Sequence, residues 1–525
     1  MLAGACAGAE TLYNGIELPT LWPPADRVPT REPMDVPYLR DPPEIIPIDV
    51  GRQLFVDDFL IEKTDLKRTF HHAVYYAGNP VLSPDKEWEG GESQGHPAPT
   101  AMPFSDGVWY DPDAQLFKMW YMGGYVKSTC YAESKDGIHW TKPELEIVPG
   151  TNIVQPLGRD STTVWLDLDD PDPARRYKLF GYMLDARETY TIYASPDGKH
   201  WGNPVATSGK TGDRCSVFYN PFRKKWVYSI RDYDPKSIGR YRRYHEGGDF
   251  VGAAQWADGA PGFWVGADTG DYMRDDLKTP CELYNLDCAA YESLMIGLFS
   301  IWRGQPQTRA KPNEICIGFS RDGFHWDRST HTPFIPVSET YGDWNWGNVQ
   351  SAGGCYIAVG DQLYFYVSGR RGVQGSPSSG VCSTGLATLR RDGFASMDAV
   401  DAEGTLTTRP VTFSGKHLFV NADASKGEVR VEVLPVLFRG YRVRHVDGTL
   451  EPPIDGFDAK SCAPVTSDST RTPISWQSGK DLSSLAGRPV QFRFHLKNAR
   501  LYSFWIANGP NGASNGHVNA GGPGN

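Results

Sequence analysis

A seven-residue phrase, Ser-x-Asp-Gly-x-His-Trp, constrains the fold more than any other feature of the chain. It reads Ser134-Lys-Asp136-Gly137-Ile-His139-Trp140, Ser195-Pro-Asp197-Gly198-Lys-His200-Trp201 and Ser320-Arg-Asp322-Gly323-Phe-His325-Trp326. Asp-Gly is a tight-turn dipeptide, because glycine accepts positive φ and the aspartate oxygen binds the amides that follow. Each copy therefore predicts a hairpin tip followed by a packing tryptophan. Two worn copies, Gly248-Asp249-Phe250 and Asp392-Gly393-Phe394, extend the series, and the aspartates 136, 197, 249, 322 and 392 are spaced by 61, 52, 73 and 70 residues. Five units of that length, each able to hold four short strands, predict an all-β fold: a five-bladed β-propeller.

Each unit repeats internally. An opening strand runs to an Asp- or Asn-Pro turn, as at Asp111-Pro112 and Asn220-Pro221, and an apolar second strand follows. The stretch Gln53-Leu-Phe-Val-Asp57-Asp58-Phe-Leu-Ile61 is strongly β in character and is expected to complete the last blade. After residue 405 the repeats stop, yet two-residue alternation persists, as in Gly427-Glu-Val-Arg-Val-Glu-Val-Leu434, which predicts a C-terminal β-sandwich. The expected division is a leader remnant and proline-rich arm over 1–50, the propeller over 51–404, the sandwich over 405–507 and a structureless tail over 508–525. No helix is expected in the arm, given its prolines.

A net charge of -10 and a sequence pI of 5.7 oppose binding to nucleic acid or to an anionic membrane, and no apolar run is long enough to span a bilayer. The opening Met-Leu-Ala-Gly-Ala-Cys-Ala-Gly-Ala resembles the end of a signal peptide, so a secreted or periplasmic protein is expected, with Cys6 a weak match to a lipid-anchored cysteine. Nine cysteines form no CxxC pair, which argues against a zinc site, and buried free thiols are expected. No cofactor is called for, although the acidic run Asp167-Leu-Asp169-Asp170-Pro-Asp172 leaves a structural calcium ion open against a solvated turn.

In a propeller the residues that open the inner strands face a shared funnel. Asp160 lies seven residues before Asp167, Asp213 seven before Asn220, and the same offset reaches Asn285 in the fourth unit. In the first it falls on Phe104, leaving Asp106, His96 or Glu92 as the polar group; in the fifth, Asn348 and Gln350 open the strand. Acids from different blades suit glycoside hydrolysis, one protonating the leaving oxygen and another attacking or activating water. Asp160 and Asp213 are the principal candidates, against a plain role capping a strand or pairing with Arg159 and Arg214. Trp344, Trp346 and their amide neighbours offer sugar platforms or core packing. Arg231, Arg303, Arg370 and Arg371, at the ends of second strands, are placed to clamp an anionic group or to pair at the surface. The recurring histidines, Glu292 and the Asp57-Asp58 pair are read as structural.

These units, the aspartates opening inner strands and the Asp-Gly turns resemble the five-bladed glycosidases related to invertase, arabinanase and mannoside phosphorylase. Within that group the start Leu54-Phe55-Val56-Asp57-Asp58 is similar to that of secreted bacterial proteins. The invertase nucleophile motif Asn-Asp-Pro-Asn-Gly and its Glu-Cys acid motif are absent. The heptad is also similar to the sialidase Asp-box but lacks the residue between Asp and Gly. The resemblance implies a carbohydrate partner and glycoside hydrolysis; a glycan-binding propeller without catalysis, or a phosphorylase, are the alternatives.

Overall fold

The computed structural model describes residues 10–518 apart from 25–26, 186, 437, 440–441 and 444–451, so Cys6 and the leader-like start lie outside the described residues. Five antiparallel meanders form the ring. Their inner strands are Ala101–Asp111, Arg159–Leu166, Ser216–Asn220, Glu282–Glu292 and Asn348–Ser351, for blades one to five. Among the described residues, α-helix is confined to one turn, Pro37–Arg40. It corrects the expectation of a helix-free arm: proline is tolerated at the first helical position, where its missing N–H would have had no partner. No helix among the described residues is long and apolar enough to cross a membrane.

The three heptads adopt one geometry. In the first, Gly137 N donates to Ser134 Oγ at 2.9 Å, the amides of Ile138 and His139 donate to Asp136 Oδ1 at 2.9 and 2.8 Å, and His139 Nδ1 meets Asp136 Oδ2 at 2.7 Å. The second and third copies repeat the last contact at 2.7 Å. These histidines and aspartates are thus spent on the turn itself. Each tip also joins neighbouring blades. Tyr366 of blade five donates to Gly137 O at 2.7 Å, Trp120 of blade one to Gly198 O at 2.6 Å, and Trp264 of blade three to Phe324 O at 2.8 Å.

The heptad glycine is therefore required twice. Gly198 has φ +74°, and a Cβ there would lie 2.4 Å from the Trp120 ring. Gly198→Ala is expected to destabilise the protein by about 3 kcal/mol, from left-handed backbone strain plus overpacking. A lowered guanidinium midpoint would register this, and an unchanged midpoint would deny the tip its joining role.

Ring closure departs from expectation. Val74–Tyr75 pairs with the third strand of blade five, Cys382–Arg390, while Gln53–Leu54 pairs with the 18-residue strand Val490–Ala507. Leu54, Phe55 and Val56 are all 0% exposed, so this stretch needs cover on both faces, which a closing edge strand would lack. Asp57 forms an ion pair at 2.8 Å with Arg321, the second residue of the third heptad, and Asp58 pairs with Arg68; neither enters the funnel.

The additional β-module is one ten-stranded sheet wrapped about Val490–Ala507, counted among the described residues. Ile46–Pro47, Gln53–Leu54, Ile61–Thr64 and Lys67–Phe70 come from before the ring and the rest from residues 395–507. The fifth Asp-Gly, in a copy without tryptophan, became its joint: Asp392 is buried, accepts from Arg52 at 2.9 Å and Ser503 at 2.6 Å, and is held down at about 2 by Arg52 and Arg391 despite burial. Glu292 is also a buried joint residue rather than a solvated turn, paired with Arg391 at 3.2 Å. The tail is ordered further than expected, since His517–Val518 adds to the inner strand of blade four; residues 519–525 lie outside the described residues. All eight described cysteines are free and buried, Cys281 and Cys288 included.

Candidate active site

The inner strands do not begin cleanly. In blade one, Met102 pairs with Met122 and Gly107 with Trp120, so residues 103–106 bulge out of the ladder. Blade two shifts register between Arg159 and Thr162, and blade four between Leu283 and Asn285. Three bulges at one end of the ring re-aim side chains that a regular strand would alternate between its faces.

The largest bulge plugs the axis. Ser105, at φ +60°, donates to Asp287 at 2.9 Å and accepts from Arg214 at 2.8 Å and Asn285 at 3.0 Å. Phe104 lies under the guanidinium of Arg214, 3.9 Å from it. Asp106 is fully buried and accepts from Arg159 at 2.6 Å. Burial outweighs that pairing and pushes its carboxyl up to about 6.

Asp160 and Asp213 open adjacent blades whose entry loops are tied: Ser161 Oγ donates to Asp213 O at 2.8 Å and accepts from Cys215 N at 3.3 Å. Asp160 is half-buried. Burial, and then the neighbouring negative charge of Asp213, push its carboxyl up to about 6. Asp213 is 51% exposed and ion-paired at 3.3 Å with Arg231. The pairings read from adjacency do not form: Arg159 serves Asp106, and Arg214 donates to Gln350 at 3.1 Å.

Beneath these acids runs a buried polar chain. Lys311 O accepts from Asn348, Asn348 Oδ1 accepts from Gln350, and Gln350 accepts from Arg214. Asn285 accepts from Arg242 at 3.3 Å and donates to Asp287 at 3.0 Å. Asp287, Arg242, Lys311 and Tyr284 were not singled out from sequence. Asp287 carried one usable signal, since it stands two residues beyond Asn285 and so shares its strand face.

Other candidates lie apart from this group. Glu92 and His96 sit on a small hairpin, Glu92–Ser93 against His96–Pro97. That hairpin meets blade five through Ser379 N to Ser93 Oγ at 3.4 Å; among the described residues no hydrogen bond or ion pair joins Glu92 or His96 to Asp160 or Asp213. Arg303 is buried in an ion pair with Glu314, under Tyr272. Trp344 packs on Gly369 and Gly385, Trp346 lies under Arg309 at 4.5 Å, and Arg371 is exposed. In the acidic run the cation present is an ammonium: Lys178 Nζ lies 2.8 Å from Asp167 and 2.9 Å from Asp170.

Neither a protein-family model nor a curated protein matches the chain. Solved structures do. A GH43_12 protein retrieved from a capybara gut metagenome is 10% identical, over 85% of this chain and 100% of its own, with a TM-score of 0.41. A thermostable family-43 glycoside hydrolase is 10% identical over 63% of this chain and 96% of its own, at 0.39. An endo-arabinase from Bacteroides thetaiotaomicron is 12% identical over 58% of this chain and 98% of its own, at 0.35. By its own strand order the chain is a five-bladed β-propeller, and it is similar at low identity to these glycoside hydrolase structures.

Proposed function

We propose that the protein is a secreted glycoside hydrolase in which Asp160 protonates the leaving oxygen and Asp213 acts as the nucleophile or the base for water. One observation carries this reading: two acids open adjacent blades whose entry loops are tied through Ser161, and the negative charge of Asp213 helps to push the Asp160 carboxyl up to about 6. Asp160, half-buried, holds its proton up to about pH 6, while Asp213 is exposed and ion-paired with Arg231. Such a separated pair is the requirement of glycosidic cleavage. Asp106, too deep to touch a sugar, positions Arg159.

A panel of aryl glycosides and polysaccharides tests the proposal, with released reducing ends as the readout. Binding without product would favour a glycan-binding propeller instead. For the substrate that is cleaved, kcat/KM is expected to fall about tenfold per pH unit above pH 6, as Asp160 loses its proton. Activity that climbs from pH 6 to 8 would remove Asp160 from the acid role.

A further inference from the structure

The funnel is cationic in a chain whose net charge is -10. Arg159 and Arg231 are neutralised by Asp106 and Asp213. Arg214, Arg242, Lys311 and Arg370 have no carboxylate partner among the described residues. Arg214 is 2% and Arg370 4% exposed; Arg214 Nη2 has no hydrogen-bond partner among the described residues, and Arg370 donates to Ser379 Oγ at 3.0 Å. Lys311 Nζ, half-buried, donates to Tyr284 at 2.7 Å. The positive potential registers on that phenol: burial would raise its pKa, yet Lys311 and Arg370 pull it below its ordinary value. Lys311 favours the charged form of Asp160 against its burial, and Asp160 does the same for Arg370, so the three are electrostatically linked.

Unpaired buried cations are costly, and a planar guanidinium beside an ammonium is suited to an oxyanion. Asp160 and Asp287 offset part of this charge, and neutral sugar hydroxyls would leave the remainder uncompensated. We propose that Lys311 and Arg370, backed by Arg214, bind an oxyanion in the funnel, supplied by a uronic-acid carboxylate or a sulfate ester of the glycan. The inference rests on the reading of the funnel as a glycan site. Free orthophosphate offers the same chemistry. There the glycosyl carbon–oxygen bond breaks, the glycosyl group passes to a phosphate oxygen, and the leaving oxygen takes a proton from Asp160.

The test measures binding by calorimetry on the full chain carrying Asp160→Asn, so that a failure of hydrolysis leaves it intact. The probes are matched oligosaccharides: uronate-containing against carboxyl-reduced, and sulfated against desulfated. An anionic member is expected to bind at least tenfold tighter than its neutral counterpart, with the preference falling below threefold in added Lys311→Met or Arg370→Met and persisting in Lys311→Arg. Thermal midpoints identify any variant that fails to fold, and Lys311→Arg then carries the comparison. In a second arm the unaltered protein is given neutral oligosaccharides with and without orthophosphate. Phosphate-dependent release of a sugar phosphate would keep the oxyanion site and assign its source to phosphate. Equal binding within every pair, together with phosphate-independent behaviour, overturns the proposal. Binding preference without hydrolysis by the unaltered protein would sink the hydrolase reading while sparing this one.

Discussion

Asp160→Asn is expected to lower turnover about a thousandfold, the scale of a lost general acid. The fold should survive and gain stability above pH 6. The sign follows from linkage. The folded value, about 6, lies above the ordinary 3.8, so the native state keeps a proton that the unfolded chain has released. That contribution is complete below about pH 4 and is lost as pH rises through 6. An asparagine has no such loss, and at pH 8 the variant should be more stable by about 3 kcal/mol. Steady-state kinetics and guanidinium unfolding at pH 5 and 8 read both effects. Turnover within threefold of the unaltered protein would end the assignment, and Asp213→Asn provides the companion measurement.

Arg321→Met is expected to have the largest effect on stability. It leaves Asp57, 1% exposed, as a buried carboxylate without its cation, a loss of about 3–5 kcal/mol. The same guanidinium also donates to Leu54 O at 3.0 Å and lies 4.7 Å from the Phe59 ring, so the β-module and blade four are joined through one side chain. Adding Asp57→Leu should recover most of the loss, because the uncompensated charge is then gone. A single-variant change under about 1 kcal/mol would reassign the joint to the apolar contacts around it.

The ring was legible because its signal is local and repeated: Ser-x-Asp-Gly-x-His-Trp specifies a turn from its own hydrogen bonds and needs no distant partner. Strand closure was not. Val74–Tyr75 is two residues long and carries no pattern, whereas residues 53–61 have strong β character that the module uses instead. A fixed offset reaches Asp160, Asp213 and Asn285 at the openings of blades two to four, where the spacing to the turn is the same. It failed in blade one, where a four-residue bulge carries Phe104 into the floor and Asp106 onto Arg159. Ion-pair choice was equally out of reach, since Arg159 pairs with Asp106 of blade one and gives Asp160 only a bond to its main-chain O, while Arg214 reaches Ser105 rather than the Asp213 beside it.

The β-module takes four strands from residues 46–70 and others from 395–507, and the ring-closing pair at 74–75 lies between them. The module therefore cannot be excised as a contiguous piece of gene, whereas the blade strands, apart from His517–Val518, run without interruption from residue 74 to 390. A truncation starting at residue 71 keeps every blade yet strips the module of four strands, and one ending at 404 removes the partners of three of those four, leaving only Lys67–Phe70 paired. Exchange of accessory modules by simple recombination is closed to such a chain. A single proteolytic nick within the ring would yield two fragments that remain laced together until one body unfolds.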